Sequence, residues 1–169
     1  DISDIVTQTK FAVFQSALAE GGVVRGISAP GCANYSRSQI NELNGIVQTQ
    51  GAGGLVSITL GGTGSKLSEL NMEMVKSVAA KFFTIEQIKQ MAGRLEAKIG
   101  DLLLIVAGKQ ETVNMALGEL RHTIGYRLKS ADPDTLAFAY IQNFPLLRRD
   151  DEGKRWDSEH HPFTAPQDK

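Results

Sequence analysis

Apolar positions at helical spacing predict three helices in the first 130 residues. The segments 37–49 and 84–99 each place apolar side chains on one face of a helix. A longer stripe predicts an amphipathic helix that begins near Glu111 and continues to Leu128. Its predicted buried face comprises Val113, Ala116, Leu117, Leu120, Ile124 and Leu128.

Capping patterns place the starts of two helices. Ser36 is followed three positions later by Gln39, and Thr84 by Gln87, so each pair matches a capping box. Gly51 stands just past the first helix, where a left-handed residue ends many helices. The segment 84–99 is accordingly predicted to be a helix with a buried stripe of Ile85, Ile88, Met91, Leu95 and Ile99.

Strand patterns fill the intervals. Residues 10–30 predict a hairpin that turns at 20–22, and the β-branched segment 55–60 predicts a further strand. Residues 101–107 are the most continuously apolar and are predicted to lie in the middle of the sheet.

Gly61-Gly62-Thr63-Gly64-Ser65-Lys66 resembles a phosphate-binding loop only in composition. Such a loop requires Gly-Lys-Ser/Thr at the start of a helix, whereas Lys66 follows Ser65 and precedes Leu67. We therefore predict a flexible, hairpin-like excursion, followed by a short helix over residues 75–83.

The order of these elements is β-β-α-β, a helical excursion, then β-α. It predicts an α+β fold, a two-layer sandwich with an antiparallel or mixed sheet and the helices on one face. A short polar link at Ser130–Asp134 contains Pro133 and predicts a boundary between residues 1–130 and residues 131–169. A fresh strand is predicted over residues 136–141, beyond this link.

Length and composition set the outer bounds. The 169 residues, of which 41% are hydrophobic, allow one ordinary domain and an appended piece. A net charge of −1 gives no global attraction to nucleic acid or anionic lipid, and no apolar run approaches the length that spans a membrane. The single cysteine excludes an internal disulfide framework and fits a reducing compartment. No secretory signal is visible, and the chain begins at Asp1 without Met, which suggests a piece of a longer protein.

Two adjacent histidines, His160 and His161, precede Pro162, and Pro166 follows four residues later. Proline restricts its own backbone and that of the preceding residue, so this segment is expected to be stiff and non-helical. Spacing alone leaves two interpretations open, a solvated tail or a loop that holds a polar ligand. A metal site is disfavoured because neighbouring histidines rarely chelate one ion well and Cys32 lies far away in sequence.

A basic cluster lies near the end of the third predicted helix, at Arg121, Arg127 and Lys129. Cations at a helix C-terminus complement the macrodipole, which is the simpler interpretation. The functional alternative is a weak contact with an RNA backbone.

The C-terminal segments resemble those of bacterial-type aspartyl-tRNA synthetase. Tyr140-Ile141-Gln142-Asn143-Phe144-Pro145-Leu146-Leu147 is similar to the family pattern W-V-x-D-F-P-x-F-E, and His160-His161-Pro162-Phe163-Thr164-Ala165-Pro166 is similar to H-H-P-F-T-x-P. Earlier segments resemble the inserted domain of that enzyme, among them Val24–Gly26, Ser36–Ile40, Gly51–Leu55, Ala80–Phe83 and Gly100–Asp101.

The resemblance implies a fold and a parent enzyme. Residues 1–130 would be an insertion domain of the GAD type, and residues 131–169 would return to the class II catalytic core. The parent would activate L-aspartate with ATP and Mg²⁺ and transfer it to tRNA(Asp). It would be a cytoplasmic homodimer that is not attached to a membrane. His160 matches the family histidine that contacts the amino acid, and His161 matches its neighbour. No catalytic residue, metal ligand or bound cofactor is expected within these 169 residues, because the ATP-binding motifs 2 and 3 have no counterpart here.

Four positions depart from the family pattern. Asn143 replaces a usual Asp, Arg148 stands where Glu is common, Gly53 replaces Lys, and Tyr140 replaces Trp. A rival hypothesis is a non-catalytic module that contacts tRNA, like the equivalent domain of the B and E subunits of tRNA-dependent amidotransferases. The His-His-Pro-Phe-Thr segment argues against it, since that segment belongs to the synthetase core.

Overall fold

The structure is a computed structural model. It describes residues 1–158 except for residues 63, 65, 133, 141, 143, 144, 146 and 150–152. The chain forms two compact units, Asp1–Ala131 and Asp132–Lys169. We call them the first unit and the second unit.

The described part of the first unit contains four strands, four α-helices and several single 3₁₀ turns. In chain order these are α1 (Ala12–Ala19), β1 (Val23–Ala29), α2 (Arg37–Thr49), β2 (Val56–Leu60), β3 (Val75–Lys76), α3 (Ile85–Arg94), β4 (Leu102–Gly108) and α4 (Gln110–Arg127).

The four strands form one antiparallel sheet in the order β1-β4-β2-β3. β4 is an interior strand, paired with β1 along its whole length and with β2 from Leu102 to Ile105. All five residues from Leu102 to Val106 are fully buried. The prediction that this apolar segment lies centrally in the sheet is confirmed, because only a strand covered on both faces can bury consecutive side chains.

The two long helices, α2 and α4, cover one face of the sheet. Alternate β4 residues Leu102, Leu104 and Val106 pack in one cluster with Leu43 and Val47 of α2. The α4 contribution to this cluster is Val113, Ala116, Leu117, Leu120 and Ile124. The predicted stripe of α4 is therefore buried as far as Ile124, whereas Leu128 follows the helix and is exposed.

A second layer of helices covers the opposite face. The other alternate β4 residues, Leu103 and Ile105, join a cluster with Phe14 of α1 and with Ile88 and Met91 of α3. The N-terminal residues Ile2 and Val6 are fully buried in the same cluster. The α+β class with an antiparallel sheet is confirmed, and the long helices lie on one face as predicted. The prediction of helices on one face alone is corrected, since α1 and α3 form an additional layer.

All four helices end in hydrogen bonds of the Schellman type, with a left-handed residue just past the C-cap. That residue is Gly21 after α1 and Gly51 after α2. It is Glu96 (φ 54°) after α3 and Lys129 (φ 50°) after α4. At the other end, both predicted capping boxes are present, formed by Ser36 with Gln39 and by Thr84 with Gln87.

The predicted hairpin over residues 10–30 is half wrong. β1 forms as predicted, but Ala12–Ala19 is the helix α1. Gly22 lies between α1 and β1. A Cβ on Gly22 would lie 2.5 Å from the carbonyl oxygen of Gly108 and 2.8 Å from that of Ala17, so the end of α1 packs directly against the end of β4. The neighbour of β1 in the sheet is β4, which is distant in sequence.

The predicted helix over residues 75–83 is also wrong in part. Val75–Lys76 is the short strand β3, paired with β2 across the excursion, and only Ala80–Phe82 forms a 3₁₀ turn. The following helix α3 ends at Arg94, so Leu95 caps it and Ile99 lies beyond it.

Asp101 is a buried carboxylate that fastens two loops to the start of β4. Its Oδ1 accepts a hydrogen bond from the Gly31 amide at 2.9 Å, and its Oδ2 accepts from the Lys98 amide at 2.8 Å. The Ser28 hydroxyl donates to Oδ2 at 3.2 Å. Three donors from two segments compensate the cost of burying the charge.

The described residues of the second unit do not form the predicted strand. Residues 135–140 have no regular secondary structure, and residue 141 lies outside the described residues. Leu136, Phe138 and Tyr140 are 81%, 89% and 93% exposed. The described strands of this unit are β5 (Leu147–Arg149) and β6 (Trp156–Ser158), an antiparallel pair.

Candidate functional site

The predicted substrate residues His160 and His161 lie outside the described residues, as do Asn143 and Phe144. The structure shows the antiparallel strands β5 and β6, which precede the histidines in the chain. These strands pair Leu147 with Ser158 and Arg149 with Trp156, and the Arg149 guanidinium lies 5.2 Å from the centre of the Trp156 ring. The role of the two histidines stays a prediction.

Asp132, the first residue of the second unit, accepts two hydrogen bonds through its carboxylate. The Oδ1 of Asp132 accepts from the Asp134 amide at 3.0 Å, and its Oδ2 accepts from the Thr135 hydroxyl at 2.7 Å. These two hydrogen bonds hold the pKa of the Asp132 carboxyl below its ordinary value, and the one from Thr135 has the larger effect.

The predicted RNA-contacting cations lie at the end of α4, but they do not form one cluster. Arg121 and Arg127 are six residues apart, which places them about 120° apart around the axis of a regular helix. Lys129 follows the helix in its left-handed cap. Arg121 and Lys129 are exposed, and neither has an ion-pair partner among the described residues.

Arg127 is fixed by contacts to the preceding helix and loop. Its Nη2 donates to the Glu42 carboxylate of α2. The pKa of the Tyr35 phenol is raised, first by burial and then by the neighbouring Cys32. Arg127 hydrogen-bonds to the phenol and lowers this pKa in part. Arg127 is thus partly a structural tie between α4 and α2, and its guanidinium is held in one place.

A shallow cavity lies beside these residues on the outer surface of α4. Its volume is about 370 Å³, and it is lined by Glu119, His122, Thr123, Tyr126 and Arg127. Tyr126 is 87% exposed. The sequence analysis did not single out Tyr126, although its position carried a signal. The buried stripe of α4 ends at Ile124 and skips residue 126, so an aromatic side chain there had to face solvent.

A second shallow cavity, of about 660 Å³, lies between the N-terminal segment and α3. Asp4 and Arg94 form an ion pair at its edge, and Gln87 donates to the Ile5 carbonyl oxygen at 3.3 Å. The hydrogen bond from Arg94 lowers the pKa of the Asp4 carboxyl. These contacts attach the N-terminal segment to α3.

Metal-ligating side chains do not cluster in the part of the chain that the structure describes, where no three His, Cys, Asp or Glu residues are placed to hold one ion. Within the same residues, no helix is both long and apolar enough to cross a bilayer.

The sequence profile of the GAD domain family matches residues 14–117. The chain therefore belongs to the GAD domain family. The match covers β1 to the first part of α4, that is, the sheet and both helical layers of the first unit.

Named relatives extend the similarity into the second unit. The chain is 51% identical over 166 residues to an aspartate–tRNA(Asp/Asn) ligase of Dehalococcoides mccartyi, and the match covers 98% of this chain and 28% of the relative. Ligases of the same name from Geotalea uraniireducens and Moorella thermoacetica are 43% and 44% identical, over 99% and 98% of this chain and 27% and 26% of theirs. The chain thus spans little more than a quarter of the length of these relatives.

Proposed function

We propose that this chain is the insertion domain and the adjoining core segment of an aspartate–tRNA ligase. The observation that carries the proposal is identity of 51% over 98% of the chain to a ligase of that name. Because the match runs through both units, it supports the synthetase more than a free GAD module. The longer protein would activate L-aspartate with ATP and transfer the aspartyl group to tRNA(Asp).

The exposed apolar residues of the second unit support its assignment to a larger core. Leu136, Phe138 and Tyr140 alternate with polar or small neighbours, which is the period of a strand with one covered face. In the longer protein, these side chains would be buried against a sheet contributed by other segments. This restores, as a proposal, the strand that the described residues do not form.

His160 and His161 are the proposed contacts with L-aspartate. An imidazole can donate a charge-assisted hydrogen bond to a substrate carboxylate, and a nearby anion favours the charged imidazole. The nearby prolines would reduce the conformational freedom lost on binding. ATP and Mg²⁺ would be held by other parts of the protein, because motifs 2 and 3 of the family have no counterpart in this sequence.

The partners follow from the same assignment. The relatives are named for both tRNA(Asp) and tRNA(Asn), so relaxed tRNA specificity is part of the proposal. We further infer a homodimeric, cytoplasmic enzyme. Charging assays with each tRNA would decide the tRNA specificity. Sedimentation of the purified full-length protein in an analytical ultracentrifuge would decide the oligomeric state.

The test of the site is aspartate-dependent pyrophosphate exchange with the full-length protein. We expect His160→Ala to lower specificity for aspartate about tenfold to a hundredfold, since a hydrogen bond to a charged group contributes roughly 1.5–3 kcal/mol. The KM for ATP should change little. Glu159→Ala is the control in the same segment. Equal damage from both variants would indicate disruption of the loop, and no effect from either would remove the assignment of His160.

The alternative is a tRNA-contacting module of the kind found in the amidotransferase B and E subunits. The GAD match by itself is compatible with it. Sequencing the flanking gene discriminates the two proposals. An arginine-bearing motif 2 upstream and a motif 3 downstream support the synthetase, whereas their absence supports the module.

A further inference from the structure

The outer surface at the end of α4 combines an exposed aromatic ring, Tyr126, with the cations Arg127 and Lys129. Tyr126 projects into solvent beside the cavity of about 370 Å³ described above. Arg127 lines the same cavity, and Lys129 follows two residues later in the left-handed cap. None of these side chains is needed to fill the core, because the buried stripe of α4 ends at Ile124.

We propose that this surface binds one unpaired nucleotide of an RNA, with its base stacked on Tyr126 and its phosphate between Arg127 and Lys129. The inference rests on the proposed function, which supplies tRNA as the partner. It adds a base-stacking residue, and it excludes Arg121 from the site because that residue lies on another side of α4.

The aromatic ring is the basis for choosing an unpaired nucleotide over a duplex. Base stacking on an aromatic side chain requires an exposed ring face, and it is tolerant of sequence since every base presents a π-face. Paired bases in an A-form helix are already stacked and present mainly phosphates and 2′-hydroxyls. The cavity volume lies near the lower end of ligand sites, which span about 300–1,000 Å³, and suits a single nucleotide.

The charges around the cavity give the nucleotide an orientation. Arg127 is held against Glu42, so its guanidinium is ordered before any ligand arrives. Glu119 lies at the opposite part of the lining and repels a phosphate, but its carboxylate can accept from a 2′-hydroxyl or an exocyclic amine. His122 adds a further donor in the same lining. The phosphate is therefore placed toward Arg127 and Lys129, and the ribose or base edge toward Glu119.

Lys129 occupies a position where glycine would be the better residue for the backbone. The amide of Lys129 donates to the Tyr126 carbonyl oxygen at 3.2 Å, and that of Ser130 donates to Gly125 at 3.0 Å. A non-glycine side chain in this left-handed cap is strained. The same left-handed cap occurs at Glu96 after α3, so backbone strain alone does not mark a site. Glu96 provides a matched control for Lys129.

The experiment measures binding of the 169-residue chain to a fluorescent single-stranded oligoadenylate of about twelve nucleotides and to a G·C-rich RNA duplex of equal length, which stays paired under the same conditions. With few phosphates contacted, we expect a dissociation constant on the order of 10⁻⁴ M for the single strand and weaker binding of the duplex. Tyr126→Ala should weaken single-strand binding at least fivefold, and Tyr126→Phe should retain it because the ring is kept. Arg121→Gln is the control on the other side of α4 and should change binding less than twofold.

The two residues in left-handed caps, Glu96 and Lys129, allow a second test of the proposal. Both Lys129→Gly and Glu96→Gly should raise the Tm by about 2–4 °C, because each relieves the same strain. Only Lys129→Gly should weaken single-strand binding, by at least threefold, and it should reduce the salt slope by about one phosphate contact. Equal binding of single strand and duplex, or an unchanged affinity of Tyr126→Ala, would overturn the proposal.

Full-length protein separates this inference from the proposed function. There, Tyr126→Ala should raise the KM for tRNA at least fivefold and leave aspartate-dependent pyrophosphate exchange unchanged, since that reaction needs no tRNA. Normal charging kinetics in Tyr126→Ala would remove the α4 surface and keep the ligase. If the wild-type full-length protein showed no ligase activity, the proposed function itself would be wrong.

Discussion

The two units of this chain use apolar residues in opposite ways. In the first unit, strand β4 buries five consecutive side chains between two layers of helices. In the second unit, Leu136, Phe138 and Tyr140 are at least 81% exposed. A segment with the apolar alternation of a strand thus remains irregular and exposed over residues 135–140. The difference indicates that the first unit carries its own core, whereas these three apolar side chains of the second unit do not enter one.

The strongest test of this difference is to separate the units. We expect residues 1–130 to unfold in one cooperative thermal transition, because both apolar clusters lie within them. Residues 131–169 alone should give the circular dichroism spectrum of an unfolded peptide. A broad, non-cooperative melt of the longer piece would contradict the proposed independence of the first unit.

A matched pair of leucine substitutions probes the same difference at single positions. Leu104→Ala empties a fully buried site in β4 and should lower the free energy of unfolding by about 2–5 kcal/mol. Leu136→Ala removes the same atoms from an exposed site and should change it by less than about 0.5 kcal/mol. Urea titration of both variants measures the contrast, and similar losses would show that Leu136 is buried in the isolated chain.

Asp101→Asn tests how the first unit fastens its loops. The carboxylate accepts three hydrogen bonds, from Ser28, Gly31 and Lys98. An amide keeps one acceptor oxygen but turns the other into a donor facing a donor, so we expect a loss of roughly 1.5–3 kcal/mol in unfolding free energy. Hydrogen exchange at the Gly31 and Lys98 amides should accelerate locally, and unchanged exchange would show that the network contributes little.

The smallest expected effect concerns acid and the ion pair between Asp4 and Arg94. The hydrogen bond from Arg94 lowers the pKa of Asp4 in the folded chain. Its contribution to stability is therefore present above the ordinary carboxyl pKa and is lost as the pH falls through the lowered value. In Arg94→Gln, the NMR-monitored pKa of Asp4 should rise, and the stability difference from the wild type should vanish in strong acid. Asp4→Asn is the control. In that background, the stability difference between Arg94 and Arg94→Gln should no longer depend on pH.

Much of the first unit was predictable because its signals are local. The capping boxes that begin at Ser36 and Thr84 predicted the starts of two helices. The apolar stripe from Val113 to Ile124 predicted the buried face of α4. The helix α1 was missed because Phe11, Val13 and the following residues suit a strand about as well as a short helix. Only Phe14 among its residues is fully buried, and its aromatic neighbours Phe11 and Phe83 come from outside the helix.

The candidate site was predictable by residue type more than by geometry. Helical periodicity alone separates Arg121 from Arg127 around α4, yet the pairing of Arg127 with Glu42 depends on the packing of α4 against α2. The exposure of Tyr126 followed from the stripe, whereas the cavity beside it did not. His160 and His161 rest on the similarity of their segment to a known family.

The sequence by itself determined the buried stripe of α4 from Val113 to Ile124, the starts of the two capped helices and the interior position of the strand over residues 102–108. These properties depend on composition and spacing within single segments. Only the tertiary structure decided that helices cover both faces, that β4 lies between β1 and β2, and that Glu96 and Lys129 adopt left-handed caps. Each of these depends on contacts between segments far apart in the chain, and the energy of such contacts outweighs the small local preferences that a sequence pattern expresses.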